Sequence, residues 1–357
     1  MKILICPDSY KGSLSAIEAA QAMKRGADDI LSTSRVETLP VGDGGEGTMD
    51  AVASVLSKRG RIEKILVDTV DALGRKIKAS YYIAGEGEGR SALMESAAAG
   101  GLTLIAREER DIMNSDTYGT GLLMADALKR GVGELLIGMG GTATCDGGLG
   151  AFRALGDAGF DCREIARNRR ITLLTDVENP LCGPKGAAAV FGPQKGALPE
   201  EIPVLDARLH ELSKRYKMLN GIDVSEMRYA GAAGGLAGML MACCGAQAVS
   251  GIEYILDLTD FDHLLDGTDL VITGEGRCDA TTLDGKAPMG ILRRARRRGI
   301  PVALIGGQTA DRDLLLAAGF SHVEAATPAT LADLPTPAQA AAYLTAATRS
   351  LLTRLAY

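Results

Sequence analysis

Histidine is scarce in this chain, with three in 357 residues. The seven cysteines show no C-x-x-C spacing, and two of them, Cys243 and Cys244, are adjacent. Zinc centres draw on these residue types at short, repeated spacings, so no zinc site is expected. A basic excess is missing as well: the net charge of −6 gives no electrostatic drive toward nucleic acid or an acidic membrane surface. Long apolar runs are absent. Only four apolar residues separate Lys2 from Pro7, too few for a signal-peptide core, and the stretch from Gly234 to Gly245 is too short to cross a bilayer. A reducing, cytoplasmic location is the expectation. No Walker A motif occurs either, because no G-x-x-x-x-G stands before Lys286 with Ser or Thr after it.

What the chain has in excess is glycine, 45 residues of it, gathered at the ends of apolar runs rather than in low-complexity tracts. That placement suggests backbone turns lying close to a ligand. The length suits about two domains, and 46% hydrophobic with 24% charged residues is an ordinary globular balance. The densest cluster is Gly138-Met139-Gly140-Gly141-Thr142-Ala143-Thr144-Cys145-Asp146-Gly147-Gly148-Leu149-Gly150. It follows the apolar run Leu135 to Ile137, read as a buried strand, and precedes a helical stretch, Ala151 to Leu155. Such a turn offers backbone N–H groups to an anion. Asp146 within it reads either as a proton acceptor or metal ligand, or as the cap of the following helix.

The chain opens with a strand, Ile3 to Cys6, that delivers Asp8, Ser9 and Lys11 to a loop. Ser15 with Glu18 forms a capping box for the next helix. Val36 to Leu39 is the second strand. It ends in Gly42-Asp43-Gly44-Gly45-Glu46-Gly47, formally a dinucleotide fingerprint. Asp43 and Glu46 would repel a bare pyrophosphate there, whereas a Mg²⁺-bound phosphate suits them. Ile62 to Val67, Lys76 to Tyr82 and Ala92 to Met94 alternate as an antiparallel meander, with a domain break near residue 60. Glu95 follows the third of these strands, and Thr117 opens another helix as a hydroxyl cap.

Further strands are expected at Ile171 to Leu174, Leu270 to Thr273, Val302 to Ile305 and His322 to Ala326. Between them Leu205 to Tyr216 reads as a surface helix and Ala232 to Ala246 as a buried one. The loop Phe191-Gly192-Pro193-Gln194-Lys195-Gly196 is more polar than a connector requires. Gly274-Glu275-Gly276-Arg277-Cys278-Asp279 follows a strand, and Lys286 stands at the start of a helix. The arginines from Arg293 to Arg298 read as a solvated helix end that complements the dipole. A final helix begins at Thr336-Pro337, with Ala340, Leu344, Ala347, Leu351 and Leu355 on one face.

Together Cys6 to Ser15, Pro40 to Thr48, the 138–150 cluster, Phe191 to Ala197 and Ile272 to Arg277 resemble the class I bacterial glycerate kinases. The resemblance runs from the first residue to the last helix. It implies ATP-dependent phosphorylation of D-glycerate, most often on the 2-hydroxyl. It also implies an α/β fold in which a flavodoxin-like domain is interrupted by an inserted mixed α/β domain. The boundaries follow as 1–60 with 260–357 for the first and 61–259 for the second, with the active site in the cleft between them. Two departures stand out. Thr142-Ala143-Thr144-Cys145-Asp146 replaces the family's usual Ser-Ala-Thr-Asn-Asp, and the segment between Gly156 and Ile171 is short.

The residues themselves point to phosphoryl transfer, which needs positioning, charge neutralisation and a base. Asp146, Asp43 and Lys11 are the catalytic candidates, with Asp146 preferred as base. Asp8, Ser9, Gly44, Gly45, Gly140, Gly141, Thr142, Gly147, Arg277 and Lys286 are expected to bind phosphate or substrate. Glu46, Glu275 and Asp279 are the expected Mg²⁺ partners. A kinase acting at the 3-hydroxyl or on another hydroxy acid, a nicotinamide oxidoreductase and a non-catalytic hydroxy-acid sensor are the alternatives.

Overall fold

The computed structural model describes residues 1–31, 35–328, 330–331 and 333–355. Two strands lead, β1 (Lys2–Pro7) and β2 (Arg35–Thr38). Six follow in the middle of the chain: β3 (Ile62–Val70), β4 (Lys76–Ala84), β5 (Ser91–Glu95), β6 (Glu134–Gly138), β7 (Arg170–Leu174) and β8 (Gln247–Val249). The last are β9 (Leu270–Gly274), β10 (Arg277–Cys278), β11 (Val302–Gly306), β12 (Gln308–Thr309) and β13 (His322–Ala325). The chain divides into two compact units. Unit 1 comprises Met1–Asp43, Asp50–Val55 and Ile252–Tyr357, and unit 2 comprises Gly44–Met49 and Leu56–Gly251.

Unit 1 is built on a five-stranded, all-parallel sheet in the order β13-β11-β9-β1-β2. Numbered along this sheet alone, that is the flavodoxin-like order 2-1-3-4-5, whose switch point falls between β1 and β9. Side chains alternate across a strand, so both faces of β1 are apolar: Leu4 and Cys6 join one core cluster, Ile3 and Ile5 the other. The helix Ala16–Asp28 starts on the expected Ser15–Glu18 capping box. It packs so closely on the last helix, Pro337–Leu355, that a Cβ on Gly26 would lie 2.3 Å from the carbonyl oxygen of Thr345. Ala340, Leu344, Leu351 and Leu352 are buried from that last helix, while Leu355 is exposed. Arg294, expected at a solvated helix end, is instead buried and ion-paired to Glu253, Asp257 and Asp262.

Unit 2 holds a six-stranded mixed sheet, β3-β4-β5-β6-β7-β8. The β3–β4 and β4–β5 pairs are antiparallel, as the alternating pattern suggested, and the remaining three pairs are parallel. One apolar cluster spans it, from Ile65 and Tyr81 to Leu236 and Met239. The expected single helix over 232–246 is broken. Ala233 and Gly234 take positive φ (51° and 65°), and only Leu236–Cys244 is α-helical. The backbone lies against another segment at this break, with no room for a side chain: a Cβ on Gly234 would sit 1.9 Å from the carbonyl oxygen of Thr144. No helix among the described residues is long and apolar enough to cross a membrane.

Candidate active site

In unit 1 the carboxyl ends of β1 and β9 meet a cavity of about 290 Å³. Its polar side carries Asp8, Lys11, Asp43, Glu275, Arg277 and Lys286, and its apolar side Leu334, Pro335 and Leu344. This is where an open parallel sheet binds ligands, at its topological switch point. The loop after β1 is held in place by Tyr10, whose hydroxyl donates to the carbonyl oxygen of Ile305 at 2.5 Å. Gly276 packs close to that loop, where a Cβ would lie 3.2 Å from the backbone nitrogen of Lys11.

The charges in this cavity work against one another. Burial raises the Asp8 carboxyl well above its ordinary range, and Asp43 and then Glu275 push it the same way. The Ser9 N–H, donating to Asp8 Oδ1 at 2.6 Å, and the charge of Lys11 oppose the shift. Glu275 is also raised by burial, although it accepts from Thr282 Oγ1 at 2.7 Å and from Lys286 Nζ at 3.4 Å. Buried carboxylates that repel one another call for a cation, and oxygen donors suit a hard divalent ion such as Mg²⁺. Among the described residues these carboxylates do not converge as tightly as Cys182, Asp206 and His210, whose ligand atoms lie within 4.8 Å of one another. A looser set matches the way Mg²⁺ keeps waters and takes one or two carboxylates plus phosphate oxygens.

Two expected metal partners do not line this cavity. Asp279 is consumed locally: Oδ1 caps the turn at Thr281 (2.9 Å to N, 2.6 Å to Oγ1), and Oδ2 pairs with Arg277 Nε at 2.9 Å. Those bonds, the Thr281 hydroxyl foremost, hold its pKa below the usual value. Glu46 belongs to unit 2 and is exposed, accepting from Thr103 Oγ1 at 2.9 Å.

In unit 2 the glycine loops pack on each other instead of standing open. Gly140 donates its N–H to the carbonyl oxygen of Gly44, and Gly44 donates its own to Thr48 Oγ1 at 3.2 Å. The Gly147 N–H is bonded to the carbonyl oxygen of Gly234 at 3.0 Å. The N–H groups of Gly44, Gly140 and Gly147 are therefore engaged within the protein. Gly45 likewise packs against Gly140, where an added Cβ would lie 2.7 Å from the Gly45 Cα.

Asp146 is held within the protein as well. Its Oδ2 accepts from Thr117 N (2.9 Å), Thr117 Oγ1 (2.8 Å) and Gly150 N (2.9 Å), and its Oδ1 from Gly148 N (3.1 Å). Burial raises its pKa and these donors oppose the rise. The carboxylate is thus the cap that joins two helix starts, and Thr117 acts through it instead of capping its own helix. Asp146 also faces a different cavity, of about 300 Å³, from the one that Gly140, Gly141 and Thr142 line. Its neighbour Cys145 is in the apolar core, where burial pushes the thiol up to about 11.

Lys195, to which the sequence assigned no role, is buried beside the 138–150 cluster. It is 5% exposed, and Nζ donates to Thr142 Oγ1 at 3.2 Å and to the carbonyl oxygen of Thr144 at 2.8 Å. Gly141, Thr142, Gln194, Lys195 and Ala233 line a third cavity of about 110 Å³. The polarity of the Gln194-Lys195 loop and its place in the Phe191 to Ala197 motif were the signals for it.

Comparison with known proteins bears on what these groups do. The family model described as "Glycerate kinase family" matches residues 3–165 and 158–356. The two stretches overlap just where the segment after Gly156 is short. A glycerate kinase of Bacillus subtilis (strain 168) is 39% identical over 332 residues, covering 86% of this chain and 85% of the relative. A glycerate 2-kinase of Escherichia coli (strain K12) is 39% identical over 334 residues, covering 87% and 86%. A crystal structure described as glycerate kinase 2 from Salmonella typhimurium LT2 superposes with a TM-score of 0.80 at 37% identity, covering 100% of this chain and 98% of that one.

Proposed function

This chain belongs to the glycerate kinase family and is a kinase, and we propose that it transfers the γ-phosphoryl group of ATP, with Mg²⁺, to the 2-hydroxyl of D-glycerate. The observation that carries the reading is the unit 1 cavity, where carboxylates and cations line one wall at the switch point of a parallel sheet. At about 290 Å³ the cavity lies just under the roughly 300–1,000 Å³ of drug-sized ligand sites, and the nucleotide is assigned to it on the charges that line it. Leu334, Pro335 and Leu344 offer an apolar side to the base. Lys11, Arg277 and Lys286 offer positive charge to the phosphates, with Lys286 at the N-terminus of the helix Ala287–Arg297.

Asp8 and Glu275 are the proposed Mg²⁺ partners, and Asp43 the acceptor of the hydroxyl proton. The ion supplies neutralisation of phosphate charge when bound. Asp8 and Asp43 repel each other, so a cation on one and a proton arriving on the other both relieve the pair. The 2-position is carried by the name of the E. coli relative and by the resemblance of the five motifs. The test is product identification: ATP, Mg²⁺ and D-glycerate should give ADP and a product that enolase dehydrates without a mutase. A product that needs the mutase first places the phosphate on the 3-hydroxyl, and no ADP at all overturns the kinase assignment for this acceptor.

A further inference from the structure

We propose that Lys195 is the recognition cation for the carboxylate of a small hydroxy acid, which binds in the unit 2 cavity lined by Gly141, Thr142, Gln194 and Lys195. The identification of that acid as D-glycerate rests on the function proposed above. Three observations converge on the site.

The first is an ammonium without a countercharge. Lys195 is buried, yet its two partners, the Thr142 hydroxyl and the Thr144 carbonyl, are both neutral. It makes no salt bridge among the described residues. Asp146 acts on it only through space, its own carboxylate being occupied by four donors. A buried charge of this kind is costly unless paired, and an ammonium has three protons to donate where the protein takes two. Burial accordingly lowers the Lys195 pKa, and an entering anion would oppose that shift by favouring the charged form.

The second observation is size and charge. The cavity measures about 110 Å³, well under the roughly 300 Å³ at which drug-sized ligands begin, so it suits a molecule of a few heavy atoms and not a nucleotide. Lys195 is the one charged residue lining it among those described. A single cation matches a monoanionic carboxylate. A transferring phosphoryl group carries more charge and is met by several positive groups.

The third is strain. Ala233 lines the same cavity at φ 51°, a region that L-residues avoid, and is followed by Gly234 at φ 65°. This turn packs closely on the Thr144 carbonyl that accepts from Lys195, since a Cβ added at Gly234 would lie 1.9 Å from its oxygen. A site positioned to within a fraction of an ångström before ligand arrives loses little on binding.

Replacing the ammonium by an apolar chain of similar length, Lys195→Met, tests this. The Michaelis constant for D-glycerate should rise at least about 30-fold, the scale for removing one member of a buried charge pair, while that for ATP stays within about threefold. A folded variant with an unchanged D-glycerate constant overturns the proposal. So does a rise confined to the ATP constant, which would make Lys195 a phosphate ligand. Wild-type protein provides an arm independent of the variant's folding: calorimetric titration, without nucleotide, of D-glycerate and of its uncharged amide. Preference for the acid by about 30-fold or more supports carboxylate recognition, and equal affinity overturns it. The same titration separates the two readings. Acid-selective binding without ADP production refutes the kinase assignment alone. Turnover of D-glycerate with no loss in Lys195→Met refutes the role of Lys195 alone.

Discussion

The backbone N–H of Gly140 donates to the carbonyl oxygen of Gly44 at 3.0 Å. This one bond explains much of the glycine content of both loops. A Cβ on Gly138 would sit 2.7 Å from that same carbonyl oxygen, and one on Gly44 would sit 2.5 Å from the carbonyl oxygen of Leu174. Main chain lies on main chain here, and side chains have no room. The glycines that look like a phosphate cradle in the sequence are needed first for this contact.

Substituting them should separate crowding from backbone strain. Gly44 has φ +96° and no space, whereas Gly47 has φ +87° and nothing within 4 Å of a Cβ. Gly47→Ala should cost about 1–2 kcal/mol, the penalty of a left-handed conformation for an L-residue. Gly44→Ala adds an overpacking term of about 1–3 kcal/mol to that. Urea unfolding midpoints measure both. Equal losses would mean that contact with Leu174 does not constrain Gly44.

Asp146 gives a second contrast. As a general base its loss would lower kcat by roughly 10²–10⁴-fold with little effect on folding. As the cap seen here, Asp146→Asn turns an acceptor of four bonds into a group whose NH₂ faces N–H donors. Each bond to a charged group is worth about 1.5–3 kcal/mol, so stability should fall by at least about 2 kcal/mol. The kcat of the folded fraction should stay within about tenfold of wild type. Denaturant melts beside kcat normalised to folded protein decide the matter, and a large kcat loss at unchanged stability would return Asp146 to the chemistry.

Local signals in the sequence were read well because local physics produces them. The Ser15–Glu18 box spans three residues and appears as expected, and the two-residue alternation of β3 and β4 needs only the strand itself. The surroundings of Lys195 and Asp146 are less legible because they come from afar. Lys195 is buried against Thr142, 53 positions away, and Asp146 is held by Thr117, 29 positions away. Arg294 looked solvated for the same reason: its carboxylates come from two other helices, at Glu253, Asp257 and Asp262. Nothing in a lysine's neighbours along the chain announces that it will lack a countercharge.

Tyr10 offers a probe of the loop that presents Asp8 and Lys11. Its hydroxyl bond to Ile305 is buried, and its removal leaves a buried carbonyl oxygen without that donor. Tyr10→Phe should lower stability by about 1–3 kcal/mol. Because the same loop lines the unit 1 cavity, the Michaelis constant for ATP should rise more than that for D-glycerate. Proportional changes in both would detach Tyr10 from nucleotide binding.

Asp8 makes the proposed metal site testable through pH. Its carboxyl is raised by burial first and by Asp43 and Glu275 as well, so folding favours its protonated form. A carboxyl raised in this way contributes stability that is fully present below its unfolded pKa, about 3.9, and that is lost as pH rises through the folded value. In EDTA, the unfolding free energy of wild type should therefore drop above about pH 4 more steeply than that of Asp8→Asn, which stays neutral throughout. A divalent cation reverses the preference by stabilising the charged form. Adding Mg²⁺ at neutral pH should raise the melting temperature of wild type and leave Asp8→Asn almost unmoved. The variant should also lose most of its Mg²⁺-dependent turnover, because the ion's neutralisation of phosphate charge depends on this carboxylate. Parallel pH profiles for the two proteins would show that Asp8 is not the group under strain. Equal Mg²⁺ stabilisation of both would place the ion on other ligands.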